Sequence, residues 1–232
     1  MANTRFVHFA DLHLSRPLGF LPPQLAEERR RDQRKVLTRI ADLAVERKAH
    51  LLLVSGDLFD TPDPDPTDIE AVAREFERVS ESGIGVYAIP GNHDNLSRGS
   101  VWDSFPGIHV FVDPEWSTIR LEDQGIAISG IPFQRSRTDR RAFEGFEPTD
   151  GLTDLLLVHA SYESFSGQLD GYHPFSDAEV SGTGAAYVAL GHYHRFNKIE
   201  SGGTTACYPG TPEGIGFDAT ETEDRFVISG EI

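Results

Sequence analysis

Two periodicities alternate along the first part of the chain. Short continuous apolar runs, Leu51-Leu52-Leu53-Val54-Ser55 and Gly85-Val86-Tyr87-Ala88-Ile89-Pro90, read as strands covered on both faces. Residues 5–10 read as a shorter strand, with His8 a structural residue inside it. Between the runs the apolar positions change to helical spacing. Val36, Leu37, Ile40, Leu43 and Ala44 predict a helix over 24–48. Ile69, Val72, Phe76 and Val79 predict a second, starting near Thr67 with Glu70 as its capping-box partner and ending at Ser82-Gly83. Strand, helix, strand, helix, strand at this spacing implies parallel strands and an α/β fold.

The second half is richer in strands. Runs at 109–112, 118–121 and 126–129 are separated by turn residues. A basic loop carrying Arg135, Arg137, Arg140 and Arg141 leads into a predicted short polar helix. Further strands follow at Asp154–Val158 and Tyr187–Leu190, with a long loop from Ser161 to Thr183 between them. Loops of that length are usually functional. The tail from Phe196 to Ile232 reads as more strands with a turn at Pro209-Gly210-Thr211-Pro212. The expectation is one domain over 1–232, a two-layered β-sandwich flanked by helices. Its active site would lie at the carboxyl ends of the strands, where open α/β sheets bind ligands.

Those strand ends carry the chemistry. The first strand closes on Asp11 and His13, which extended backbone would point to one side. The second closes on Gly56-Asp57, the third on Gly91-Asn92-His93-Asp94, and later ones on His159 and on His192-Tyr193-His194. A single histidine at a strand end is more often a hydrogen-bonded structural residue. Five such sets on one edge need a common partner, because unpaired buried polar groups are costly. A mixed nitrogen and oxygen donor set suits Mn²⁺, Fe²⁺ or Zn²⁺. The donors are too many for one ion and suit two ions that share a carboxylate.

Charge and cysteine content narrow the setting. A formal charge of −16 argues against a broad nonspecific nucleic-acid surface. It leaves room for a phosphate substrate held through metal ions, which bring positive charge locally. The single cysteine, Cys207, cannot form an internal disulfide, and neither a signal peptide nor a membrane span is evident, so a cytoplasmic protein is expected.

The ordered set Asp-x-His, Gly-Asp-x-x-Asp, Gly-Asn-His-Asp, His and Gly-His-x-His spans residues 11–194 and resembles the calcineurin-like metallophosphoesterases. The flanking His8-Phe9-Ala10-Asp11-Leu12-His13-Leu14, Ser55-Gly56-Asp57-Leu58-Phe59-Asp60-Thr61 and Tyr208-Pro209-Gly210-Thr211-Pro212 look like the SbcD-type DNA repair exonuclease branch. The resemblance implies that Asp11, His13 and His194 hold one metal and Asn92, His159 and His192 a second, with Asp57 bridging. It implies two divalent ions, manganese first, with His93 as general acid oriented by Asp94. Asp60 would be a hydrogen-bonding loop residue. It implies hydrolysis of phosphodiesters, DNA foremost. The basic loop itself offers Arg135 and Arg137 as phosphate-backbone contacts, with a solvated turn as the alternative. An SbcC-type ATPase partner and a homodimer also come with that branch, while its capping domain is not evident here. A phosphatase or phosphodiesterase acting on nucleotides or other small molecules is the alternative within enzymes. A non-catalytic binding scaffold is the alternative outside them.

Overall fold

The computed structural model describes residues 3–97, 100–166, 171–214 and 224–232. In chain order come β1 (Arg5–Phe9), α1 (Pro23–Glu46), β2 (Leu51–Ser55), α2 (Pro66–Glu81), β3 (Gly85–Ile89), β4 (His109–Val110), β5 (Ser117–Leu121) and β6 (Ile126–Ile131). Then follow β7 (Thr153–His159), α3 (Glu163–Ser166), α4 (Asp177–Thr183), β8 (Tyr187–Gly191), β9 (Asn197–Ser201), β10 (Thr204–Tyr208) and β11 (Ile228–Glu231). They build two sheets, ordered β11-β1-β2-β3-β4 and β5-β6-β7-β8-β10-β9. The strands that precede the candidate residues pair in parallel: β1 with β2 and β2 with β3 in one sheet, β7 with β8 in the other.

The apolar runs explain the layering. Side chains alternate across a strand, so a run that is apolar throughout covers two faces. In β2, Leu52 and Val54 join the core under the helices, while Leu51 and Leu53 face the second sheet. In β7, Leu155 and Leu157 meet them from the other side, and Leu156 and Val158 turn outward to α4 and its flanking loops. Three apolar layers result: helix against sheet, sheet against sheet, and sheet against the loops around α4. Each leucine buried this fully contributes about 1.5–3 kcal/mol. His8 sits in the middle layer, fully buried, with Nδ1 2.9 Å from the Tyr187 hydroxyl. Its role there is structural, as the sequence indicated. Cys207 is buried beside them. Among the described residues no helix is long and apolar enough to cross a membrane.

Three local expectations change. The Thr67–Glu70 capping box does not form at α2. Asp65 caps the helix instead, accepting from the Thr67 amide at 2.8 Å, and Pro66 takes the first helical position, where its missing N–H costs nothing. The short polar helix after Arg141 is a run of turns. Its Ala142 amide bonds outward to the Pro174 carbonyl at 3.2 Å, and Gly145 adopts φ 78°. The long loop is organised by α3 and α4, and Ser176 with Glu179 forms a complete capping box on α4. Residues 167–170 of that loop and 215–223 of the predicted tail lie outside the described residues.

Arg141 ties the outer layer together by pairing with Glu163 and Glu179; its Nε lies 2.8 Å from Glu179 Oε1. Burial raises the Glu179 carboxyl, but the bonds from Arg141 and Ser176 outweigh it and hold the group below its ordinary range. A carboxyl depressed in the folded state adds stability above its unfolded pKa and loses it as pH falls through the folded value. Urea unfolding between pH 6 and pH 3 is therefore expected to show a smaller pH dependence for Arg141→Met than for the parent chain. An unchanged slope would show that this pair contributes nothing to acid stability.

Candidate metal centre

The five polar sets converge where the carboxyl ends of β1, β2, β3, β7 and β8 meet. Backbone bonds lace their loops together. The Asp11, His13 and Leu14 amides donate to the carbonyls of Gly56, Asp57 and Leu58 at 3.1, 3.0 and 2.9 Å. The His192 amide lies 3.0 Å from both carboxylate oxygens of Asp11. Asp11, His13, Asp57 and His192 have φ of 55°, 51°, 50° and 108°. Side chains rarely take this left-handed region, and such residues gather at functional sites. Asp11 and His13 thus converge through a turn of the main chain, and the extended geometry expected of them is absent.

Close approach also fixes two motif glycines. A methyl group on Gly91 would sit 2.2 Å from Asp57 Oδ1, and one on Gly191 would sit 2.0 Å from the Ser55 carbonyl oxygen. Neither position tolerates a side chain without moving the loop that carries the acid or the strand that faces it.

Asp11, His13 and His194 each offer a donor atom, and these lie within 4.8 Å of one another; so do those of Asp11, Asp57 and His159. Asn92 Oδ1 stands 3.0 Å from His159 Nε2 and 3.2 Å from His192 Nδ1. Asp57 Oδ2 is 3.2 Å from His159 Nε2 and 3.9 Å from His13 Nε2, which puts this carboxylate between the two groups. The arrangement therefore has two donor sets, one around His13 and one around His159, with Asp57 reaching both.

Hydrogen bonding fixes which ring nitrogens are free to bind. His13 Nδ1 lies 2.9 Å from Asp60 Oδ1, and His159 Nδ1 lies 2.9 Å from the Ser55 carbonyl. Both partners only accept, so each Nδ1 carries the proton. In the neutral rings both Nε2 lone pairs then point inward, the His13 one toward His194 Nε2 at 3.2 Å. Inward-facing lone pairs, carboxylates and an amide oxygen are what a divalent cation takes, and an outer carboxylate on a ligating histidine is the usual accompaniment. The donor set fits two such ions.

Charge adds to the demand for a cation. Burial disfavours a proton on His159, but Asp57 and Asp11 outweigh it and push its pKa up to about 9. Asp11 is raised well above the usual carboxylate range by burial, and Asp94 is raised to about 7 by burial and then by the Asp57 charge. Burial raises Asp57 as well, yet the facing His159, His13 and His93 hold it below its ordinary range. His192 falls to about 3 through burial and the nearby His159 charge.

Two roles shift. Asp94 does not orient His93. Its carboxylate is fully buried and accepts the Gly91 amide at 2.7 Å and the Phe59 amide at 3.2 Å, so it staples the β3 loop to the β2 loop. Its carbonyl takes the Trp102 indole N–H at 3.0 Å. The group beside His93 is Asp60, with its carbonyl 3.3 Å and its carboxylate 3.6 Å from His93 Nδ1. Asp60 is therefore shared by His13 and His93, more than the loop residue the sequence suggested. Its signal was the second aspartate of Gly-Asp-x-x-Asp.

A cleft of about 550 Å³ opens over the donors, with Asn92, His93, Asn95, Ser136, Arg137 and Tyr172 among its lining residues. Arg137 stands over the Tyr172 ring, 5.6 Å from its centroid, and Tyr172 lies 4.7 Å from the His192 ring. Tyr172 was not singled out in the sequence, although it belongs to the aromatic-rich loop. Arg135 is exposed and does not line the cleft. Arg140 pairs with Glu115 at 2.6 Å and Arg141 with two glutamates, so both serve the scaffold.

Known proteins resemble the chain over most of its length. It is 29% identical over 98% of its length to an uncharacterized metallophosphoesterase, YhaO, of Bacillus subtilis, of which it covers 58%. It is 28% identical over 94% of its length to the DNA double-strand break repair protein Mre11 of Aeropyrum pernix, covering 56% of that protein. To the SbcD component of the nuclease SbcCD of Bacillus subtilis it is 26% identical over 92% of its length, covering 62%. The chain thus spans rather more than half the length of these relatives. The family model for calcineurin-like phosphoesterases matches residues 4–196, a stretch that takes in every donor from Asp11 to His194, and the chain belongs to that family.

Proposed function

We propose that this chain hydrolyses phosphodiester bonds with two divalent cations and that DNA is its substrate. The position of Asp57 between two convergent donor sets is the observation that carries the reading. Asp11, His13 and His194 would hold one ion, Asn92, His159 and His192 the other, and Asp57 both. Nitrogen and oxygen donors in this mixture suit Mn²⁺ first, with Fe²⁺ and Zn²⁺ close behind. Two bound ions would supply charge stabilisation for the phosphoryl oxygens and lower the pKa of water.

The protein's own groups do the rest. His93 is the proton donor in this proposal. Its side chain is 43% exposed at the cleft, and with Nδ1 turned to Asp60, Nε2 is the atom left to face a leaving oxygen. Proton donation of this kind contributes about 10²–10⁴-fold. Asp60 holds the proton on His13 Nδ1 and keeps the His13 Nε2 lone pair turned inward. Arg137, on the cleft wall, would contact a flanking phosphate, while Arg135 is the weaker candidate. The DNA part of the proposal is supported by two of the relatives, a DNA double-strand break repair protein and a nuclease, which match most of the chain.

The decisive assay gives the Mn²⁺-loaded protein single-stranded DNA, duplex DNA, a bis-aryl phosphodiester and an aryl phosphomonoester. Hydrolysis of DNA and of the diester is expected. Hydrolysis of the monoester alone would replace this reading with a small-molecule phosphatase, and no turnover with metal bound would leave a binding scaffold. His93→Ala is expected to retain both ions by elemental analysis but to lose about 10²–10⁴-fold in turnover on DNA, whose leaving group needs a proton. Asp60→Ala is expected to weaken Mn²⁺ binding about 10–100-fold in calorimetric titration, as removal of outer partners of metal ligands does. Unchanged affinity would separate Asp60 from the metal site.

A further inference from the structure

On the His194 side, the metal centre borders a second region with different chemistry. A cleft of about 440 Å³ is lined by Phe165, Tyr193, His194, Arg195, Phe196 and Asn197. An adjoining one of about 210 Å³ has His194, Arg195, Phe196 and Phe226 on its walls. Phe196 stands between the two and packs 5.4 Å from the Phe226 ring, while Phe165 packs 5.0 Å from Tyr193.

Exposure is the unusual feature. Phe165, Phe196 and Phe226 are 46%, 47% and 45% exposed, whereas Phe9, Phe59, Phe76, Phe111, Phe133 and Phe175 are fully buried. Among the described residues only Phe20 is a comparably exposed phenylalanine. Leaving rings in water forgoes their burial free energy. Three of them converge beside one histidine of the donor set. The segment that carries Phe196 is also held firmly. Arg225 Nη1 donates to the His194 carbonyl at 3.1 Å and to Thr211 Oγ1 at 2.9 Å. Gly210 packs so closely on this segment that a methyl group there would lie 2.8 Å from the His194 carbonyl oxygen and 3.0 Å from the Phe196 nitrogen. The backbone that carries Phe196 is therefore preset.

We infer that this groove is a stacking subsite for an unpaired nucleobase next to the phosphodiester bound at the metal centre. Phe196 is the ring the base stacks on, and Phe165 and Phe226 are the walls. The inference rests on the phosphodiesterase reading and adds a residue-level subsite to it. A base inside a duplex already has both faces covered, so open aromatic faces select a strand end or a single strand. Every base has a π-face, so the subsite is indifferent to sequence. A further aromatic face, Tyr172 with Arg137 over its ring, lies beside His192. Stacking faces of this kind would supply local recognition within an otherwise acidic protein.

The test uses a short single strand with 2-aminopurine beside a phosphorothioate linkage that resists hydrolysis, in deoxy and ribo forms, and the same strand with an abasic site. With Mn²⁺ present, the parent chain is expected to quench the 2-aminopurine and to bind the base-bearing strand about tenfold more tightly than the abasic one, within the range of one stacked base. Phe196→Ala, checked for folding by circular dichroism, is expected to lose the quenching and bring that ratio near one. Phe196→Trp restores both. Deoxy and ribo strands that behave alike assign the recognition to the base; a preference for one assigns part of it to the sugar. Absence of quenching in the parent chain, or the same ratio in Phe196→Ala, overturns the inference and leaves the groove as a protein contact surface. Failure of the phosphodiesterase reading shows separately, as no turnover by the parent chain of methyl 4-nitrophenyl phosphate, which has no base.

Discussion

Buried negative charge is the constraint around which this molecule is arranged. Asp11, Asp57 and Asp94 are 0%, 2% and 0% exposed where the two sheets meet. Donor oxygens of Asp11 and Asp57 approach within 4.8 Å. Two full charges at that separation repel by about 3 kcal/mol even at an effective dielectric of ~20. Loss of hydration adds to this. Protons on His159 and on the carboxyls relieve part of the conflict, and cations between the carboxylates relieve it more completely. The histidines and the amide oxygen stand where such cations would need them. Positive charge is in this sense a structural component of the edge, and the polar constellation makes sense only with it.

The main chain makes that crowding achievable. The loops after β1 and β2 continue the parallel pairing of their strands past its regular end, through three consecutive amide-to-carbonyl bonds and a bridge between Leu14 and Phe59. Left-handed backbone at four candidate ligands turns their side chains inward. Gly91 and Gly191 let neighbouring backbone come within what a methyl group would occupy. Asp94 then uses its charge locally, on two amides, and binds one loop to the next. None of these devices acts alone. Each brings one loop close enough for the next to matter, so the site forms as a unit with the strand edges beneath it.

Much of this was legible beforehand. The all-apolar runs of β2 and β3 disclose two covered faces, and the helical spacing around Leu37 and Phe76 discloses the crossovers. The polar residues at strand ends disclosed the donors, because Asp, Asn and His in series make poor core. What escaped was decided by tertiary contact. The resemblance pairs Asp94 with His93, but a carboxylate beside two unpaired amides satisfies them first. Thr67 looked like part of a cap by spacing, but Asp65 one step before Pro66 competes better. The segment after Arg141, expected as a short helix, is drawn into turns by the Pro174 carbonyl and by Gly145. The grouping of Phe165, Phe196 and Phe226 could not be read from spacing, since the fold alone brings those positions together.

Trp102 gives the centre an optical handle. The chain holds two tryptophans, and this one is buried, with its indole N–H on the Asp94 carbonyl and its ring packed edge-on against Phe59. Those two contacts come from the loops after β3 and β2, the pair that Asp94 staples and that carry Asn92, His93 and Asp57. Emission from a buried indole depends on its hydrogen bond and its surroundings. A rearrangement of these loops as ions enter would therefore register in the protein's own fluorescence. The second tryptophan, Trp116, packs against Phe143 and Phe146 on the far side of the other sheet and serves as an internal reference.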